Sequence, residues 1–301
     1  MYKQEIGNMK CDPSLVAVQT PRNMKQLRNL RFKCLNKSRI SHDALYNLHD
    51  IAYDIPGFVW KITTFPDLLC IVGIQEILEE ADRVFEIPDS LQLLSYDTTF
   101  QLGDFYVSPL IMRHCLFKER PCIPVMFLIH ERKYTQTHQE MFKECVTRIP
   151  SLKKTNHPLV TDREKAITNA IIEECPTLKL VYCWNHVFRD IRMWCRKHGA
   201  PSADISIYVE SVRRLFHSVS EQKYQKQLKE SLTVWDAAFE DYYMKNIHSD
   251  VTKSIGRWIL EEKGVYSPYS GVTNNQSEGF NRYVHSYNCN WSYYCILIIV
   301  G

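Results

Sequence analysis

Three acidic residues lie where the surrounding sequence predicts defined elements of a fold. Asp97 lies in "LLSYDTTF", which otherwise reads as a β-strand, where Asp is disfavoured and an unpaired buried charge is expensive. Asp162 ends the short apolar strand "LVTD", and Glu278 lies in the first helical turn of "TNNQSEGFNR". Ionised carboxylates that meet repel one another unless cations neutralise them. We therefore expect these three residues to bind divalent metal ions.

The expected metal chemistry is phosphoryl transfer. Mg2+ prefers oxygen ligands and commonly shares its coordination shell with substrate phosphates. Three carboxylates, two Mg2+ ions and one phosphodiester have no net charge when summed. Two ions about 3.5–4 Å apart stabilise both the attacking and the leaving oxygen of a displacement at phosphorus. The pattern predicts a site with two Mg2+ or Mn2+ ions.

Each acidic residue also has a structural interpretation. Asp97 can be a hydrogen-bonded strand residue, with Thr98 beside it as an ordinary β-former. Thr161 and Glu164 match the S/T-x-x-E capping box, in which Asp162 would favour the helix dipole. Taken singly, each acid is better explained by structure. Taken together, on the elements of one topology, they favour catalysis.

The elements that position these acids follow the order β-β-β-α-β-α-β-α between residues 91 and 198. "LQLLSYDTTF" predicts the first strand, and "HPLVT" predicts the fourth. Right-handed crossovers would place the fourth strand in parallel beside the first. Thr137 is the expected N-cap of the first helix. The fold class is therefore α/β, with a mixed five-stranded sheet and flanking helices.

An all-helical insertion is expected at about residues 200–272, because apolar residues recur there at helical spacing. The last predicted helix carries Glu278 and, four residues later on the same face, Arg282. Arg282 can orient Glu278 or contact a phosphate, and Asn281 can contact the same backbone.

The order of elements and four motifs resemble the catalytic core of Mutator-like (MULE) DDE transposases. These motifs are "SYDTTF", "LVTDREKAI", "CWNHVFRD" and "TNNQSEGFNR". The resemblance implies a ribonuclease H-like fold in which Asp97, Asp162 and Glu278 form the acidic triad. It further implies Mg2+-dependent cutting and joining of transposon ends and target DNA, nuclear localisation, and a homodimer or higher oligomer. No small-molecule substrate is expected.

The family's Cys-x2-His motif is matched by Cys183 and His186, which the resemblance implies bind DNA or shape the site. Cys195 and His198 repeat that spacing and raise the alternative of a zinc site. A continuous helix would separate the two pairs by about 18 Å, which is too far for one zinc ion. Cys195 is therefore interpreted as a buried apolar residue.

The resemblance divides the chain into three parts. Residues 1–88 are interpreted as a helical, basic region left from a DNA-binding part, 89–290 as the transposase core, and 291–301 as a truncated apolar tail. The basic stretch 22–39 predicts either a solvated helix face or an arm that contacts phosphates. The net charge of +3 permits nucleic-acid binding without requiring it.

The 11 scattered cysteines fit a reducing compartment, and the absence of a signal peptide or a membrane-length apolar run predicts a soluble intracellular protein. Two further functions stay open. One is a catalytically inactive, transposase-derived nuclear protein with a DNA-binding or regulatory role. The other is a ribonuclease H-like nuclease outside transposition, which the helical insertion disfavours.

Overall fold

A computed structural model describes residues 44–88, 90–98, 100–102, 105–118, 120–269 and 271–273. Its strands are β1 (Val59–Thr63), β2 (Leu69–Gly73), β3 (Leu94–Tyr96), β4 (Phe100–Leu102), β5 (Phe105–Arg113), β6 (Cys122–His130), β7 (Pro158–Thr161) and β8 (Lys179–Tyr182). Its helices are α1 (Ala44–Asp54), α2 (Gln75–Phe85), α3 (Thr135–Arg148), α4 (Lys165–Glu174), α5 (Trp184–Lys197), α6 (Ser202–Phe216), α7 (Glu221–Leu232), α8 (Ala237–Asn246), α9 (His248–Asp250) and α10 (Arg257–Glu262). A 3-10 turn covers Pro150–Lys153, and a π turn, Val251–Ile255, follows α9.

The described residues form one mixed sheet of eight strands in the order β1-β2-β6-β5-β3-β7-β8, with β4 paired to β5 outside that row. β3 pairs in parallel with β7, and β7 pairs in parallel with β8. β5 is antiparallel to both β3 and β6, so β6 runs in the same direction as β3. Strands β3, β6, β7 and β8 therefore finish at the same end of the sheet, called here the carboxyl end.

The expected neighbours, the first and fourth predicted strands, do pair, as β3 and β7. The expected number of five strands is wrong. β1 and β2 add a hairpin-like pair at the β6 side, through antiparallel pairing of β2 with β6. Both strands lie in the region 1–88, whose sequence was interpreted as helical and basic.

The predicted first strand is also shorter than expected. It divides into β3 and β4, and Asp97 directly follows β3 instead of lying midway along a strand. Asp is disfavoured within a strand, so an end position suits it better. The prediction for the start of the first long helix is wrong too: α3 begins at Thr135, and Thr137 lies inside it.

Buried side chains cover both faces of the sheet around β7. Leu159 belongs to a core with Tyr96 and Phe142, beneath α2, α3 and α4. The next residue, Val160, belongs to a second core with Trp184, beneath α5 and the helices that follow it. Alternate residues of a strand point to opposite faces, so β7 is buried on both sides.

The helical insertion expected at about 200–272 contains α6 to α10, and the described residues between 202 and 262 include no strand. α6 of this insertion is amphipathic and buries Val212, Leu215 and Phe216. Among the helices in the described ranges, none combines the length and apolar character needed to cross a bilayer.

Candidate active site

Asp97 lies at the carboxyl end of β3 and is 5% exposed. A carboxylate in that position needs compensation, because burial of an unpaired charge is unfavourable. The imidazole of His186 is close by, with its Nε2 3.8 Å from Asp97 Oδ2. His186 lies in the first turn of α5 and is itself buried. The structure thus brings together two residues that the sequence assigned to one site.

Asp162 directly follows β7 and is partly buried. Its Oδ1 accepts a hydrogen bond of 2.9 Å from the backbone N–H of Glu164. The bond forms an Asx turn that leads into α4. The alternative capping box between Thr161 and Glu164 is absent from this helix start, because Glu164 is itself the N-cap residue and no side chain caps it.

The strand register bears on how Asp97 and Asp162 lie relative to each other. Ser95 of β3 pairs with Val160 of β7, and Asp97 and Asp162 each lie two residues further along, just beyond the ends of these strands. Neighbouring strands are about 4.8 Å apart. A register that continues past the strand ends would put the two acids at adjacent backbone positions at the carboxyl end of the sheet.

Cys183 continues this row on the third parallel strand. Thr161 pairs with Tyr182, and the backbone N–H of Cys183 donates to the Thr161 carbonyl at 2.9 Å. Cys183 is the N-cap residue of α5, and its thiol is fully buried in the second core. A buried thiol can shape the start of α5, and with it the position of His186, but it has no exposed surface with which to contact DNA.

The second Cys-x2-His pair lies at the other end of α5, which is continuous from Trp184 to Lys197. Cys195 is buried, and burial raises the pKa of its thiol. His198 is exposed and stacks on Trp194. The described residues contain no cluster of three or more His, Cys, Asp or Glu side chains able to hold a metal ion.

A buried polar network lies beside Asp97, and the sequence did not predict it. The Thr98 hydroxyl is 2.8 Å from the Ser108 hydroxyl, which is 2.9 Å from His130 Nε2. His130 Nδ1 then donates to the Arg132 carbonyl at 2.8 Å, which makes Nε2 the acceptor in the neutral ring. Thr98 therefore does more than favour a β-strand. Its hydroxyl connects the segment after Asp97 to Ser108 of β5 and, through Ser108, to His130 of β6.

A second buried contact joins the Tyr96 hydroxyl to His138 Nδ1 at 2.9 Å. The rings of His130 and His138 lie 5.2 Å apart. Burial lowers the pKa of His130 to about 4 and that of His138 to about 3, so both imidazoles are neutral at physiological pH. Burial also raises the pKa of Tyr96, which keeps its hydroxyl protonated.

Lys133 is a further cation near these groups that sequence reasoning missed. It follows β6, and its Nζ lies 3.9 Å from Glu164 Oε2 and 4.6 Å from the centre of the Tyr106 ring. Burial raises the pKa of Glu164; the Lys133 charge opposes that shift, and the Asp162 charge adds to it. No local motif marks Lys133, because only the order of the strands brings the end of β6 to the carboxyl end.

The remaining predicted site residues, Glu278, Asn281 and Arg282, lie outside the described residues, as does the basic stretch 22–39. Asp97 and Asp162 supply hard oxygen donors at adjacent positions, which suits Mg2+ or Mn2+. Because the third expected ligand, Glu278, lies outside the described residues, the metal site stays a prediction.

A comparison of the chain with protein-family models gave no match, and a comparison with curated proteins gave none either.

Proposed function

We propose that this protein is a DDE transposase-like enzyme that cleaves and joins DNA phosphodiesters with the help of divalent metal ions. One observation supports the proposal: β3 and β7 pair in parallel with Ser95 opposite Val160, and Asp97 and Asp162 each follow that pair by two residues. Two adjacent carboxylates at the ends of parallel strands are costly for a fold unless a cation joins them. Ligand sites in α/β sheets also lie outside the carboxyl ends of strands.

The ribonuclease H-like assignment is part of the same proposal. It is supported by the adjacency of the first and fourth strands of the predicted core, here β3 and β7. It is also supported by the helical segment 202–262, which precedes Glu278 in the chain. Glu278 is proposed as the third acidic ligand, on the strength of the resemblance in "TNNQSEGFNR".

Asp97 and Asp162 would hold the metal ions through their carboxylate oxygens. Bound Mg2+ would supply Lewis-acid stabilisation of the negative charge that develops on the phosphoryl oxygens. His186, at 3.8 Å from Asp97 Oδ2, would limit the orientations available to that carboxylate. The Asx turn holds Asp162 through one oxygen, which fixes its side chain at the start of α4.

The proposed partners are transposon ends and target DNA, and the proposed location is the nucleus. A homodimer or higher oligomer is proposed because joining two DNA ends requires two sites to act together. These proposals rest on the resemblance of the four motifs.

The test is a nicking and strand-joining assay with Mg2+ or Mn2+ on labelled DNA duplexes. The variants Asp97→Asn and Asp162→Asn should each lose activity by at least a hundredfold, while keeping the wild-type fold. Asp241→Asn is the matched control, because it makes the same change at an exposed residue of α8 that pairs with Lys245. Activity that persists in both site variants would refute the assignment.

A second candidate is a catalytically inactive, transposase-derived protein with a DNA-binding or regulatory role. The Asp97–His186 contact favours it, because it gives the buried carboxylate a neighbour within the fold other than a metal ion. DNA binding that is independent of metal and unchanged by Asp97→Asn, with no cleavage, would support this candidate over the enzyme.

A further inference from the structure

The loop after β6 lies at the same end of the sheet as the two acidic residues. β6 and β3 are both antiparallel to β5, so His130 and Tyr96, their last residues, finish at the same end. Lys133 is three residues beyond His130 and precedes α3. Its contact with Glu164, the N-cap residue of α4, shows that this cation from a distant part of the sequence lies beside the start of that helix.

The surroundings of Lys133 keep its ammonium group near the acids without enclosing it. Its Nζ is 3.9 Å from Glu164 Oε2, a separation too long for a hydrogen bond, and 4.6 Å from the Tyr106 ring centre. Its side chain is 34% exposed. The Lys133 side chain is therefore partly open to solvent.

The charges of the site explain why a cation is useful there. Asp97, Asp162 and Glu164 lie at or next to the ends of β3 and β7, and a nucleic-acid strand brings further negative charge. Lysine binds phosphate oxygens as a compact point charge. A lysine that pairs loosely with Glu164 can move its charge to a phosphate when the strand binds.

We propose that Lys133 is a substrate-binding residue, whose ammonium group contacts a phosphate oxygen of the nucleic-acid strand held at Asp97 and Asp162. This inference rests on the proposed function. The competing explanation is that Lys133 only pairs with Glu164 to attach the loop to α4. The two explanations predict different effects of replacing Glu164. If the pair is structural, replacing either Lys133 or Glu164 should weaken DNA binding equally. If Lys133 contacts a phosphate, only its own replacement should weaken binding.

The experiment measures binding of a fluorescein-labelled DNA duplex at several salt concentrations, with a chelator present so that the DNA stays intact. Lys133→Gln should weaken binding about tenfold at low salt, as expected for one charge-assisted hydrogen bond. It should also make the slope of log K against log salt shallower by about 0.9. Lys133→Arg should retain most of the affinity, and Glu164→Gln should retain or increase it.

Lys143→Gln is the matched control, because Lys143 also pairs with two acidic residues, Glu140 and Glu174, but lies within α3, away from its start. It should leave both the affinity and the salt slope unchanged. Thermal melting of each variant checks that the fold is retained.

Wild-type affinity and salt slope in Lys133→Gln would overturn the inference. Equal weakening in Lys133→Gln and Glu164→Gln would overturn it as well, because the pair would then be structural. A wild-type protein that binds no DNA would overturn both the inference and the proposed function. DNA binding that requires Lys133 but is accompanied by no metal-dependent cleavage would support the inference and refute only the enzymatic part of the proposed function.

Discussion

His130 and His138 should make the fold lose stability in mildly acidic solution. Both imidazoles are fully buried and neutral, with pKa values lowered by burial to about 4 and about 3. In the unfolded chain each would titrate near 6.5. Between these values the unfolded state binds more protons than the folded state, so stability falls as the pH falls from about 6.5 towards 4.

The size of the effect follows from the difference between folded and unfolded pKa values. At pH 5 an unfolded histidine is mostly protonated, while His130 and His138 in the fold stay mostly neutral. Because pH 5 lies about 1.5 units below the unfolded pKa of 6.5, each histidine should lower the free energy of unfolding by about 2 kcal/mol. The pair should therefore remove about 4 kcal/mol between pH 7.5 and pH 5, a large part of the stability of an ordinary domain.

Urea denaturation of wild type and His138→Gln across this pH range measures the effect. The glutamine can still meet the Tyr96 hydroxyl but cannot be protonated, so the loss between pH 7.5 and pH 5 should shrink by about 2 kcal/mol. A wild-type pH dependence in His138→Gln would show that this imidazole is not buried and neutral.

Three other substitutions test the packing around the site. Gly271→Ala should destabilise the fold by about 3 kcal/mol, because φ is +62° and a Cβ atom would lie 2.2 Å from the Trp184 ring; calorimetry would detect this as a lower Tm. Arg163→Ala removes a 2.7 Å contact with Asp250 and should cost about 2 kcal/mol, much of it recovered in the double variant with Asp250→Asn, as a double-mutant cycle in urea would measure. Phe142→Ala should cost about 4 kcal/mol in the same denaturation assay, because it leaves a cavity in the first core, and unchanged stability would contradict that packing.

The part of the fold that the sequence predicted best is the part set by local pattern and chain direction. The order of strands and helices between residues 91 and 198 was sufficient to place β7 beside β3, because crossover connections between parallel strands are nearly always right-handed. That adjacency, and not any motif alone, puts side by side the two strands that end just before Asp97 and Asp162. The predicted site residue His186 reaches Asp97 because α5 begins where β8 ends.

The parts that were missed depend on contacts between distant segments. The apolar runs of β1 and β2 were not recognised as strands, and their place in the sheet comes from pairing of β2 with β6. The polar contacts of Thr98 with Ser108, and of Ser108 with His130, join three segments whose register cannot be read from any one of them. Lys133 was missed for the same reason, since a single lysine after a strand has no pattern of its own.

The central claim, that Asp97 and Asp162 share metal ions, is tested most directly by calorimetric titration of Mn2+ into wild type, Asp97→Asn, Asp162→Asn and the double variant. If the two carboxylates share metal, each single substitution should weaken binding at least tenfold, and the double variant should lose little more than either single one. Wild-type Mn2+ affinity in both single variants, or no Mn2+ binding by the wild-type protein, would contradict the claim.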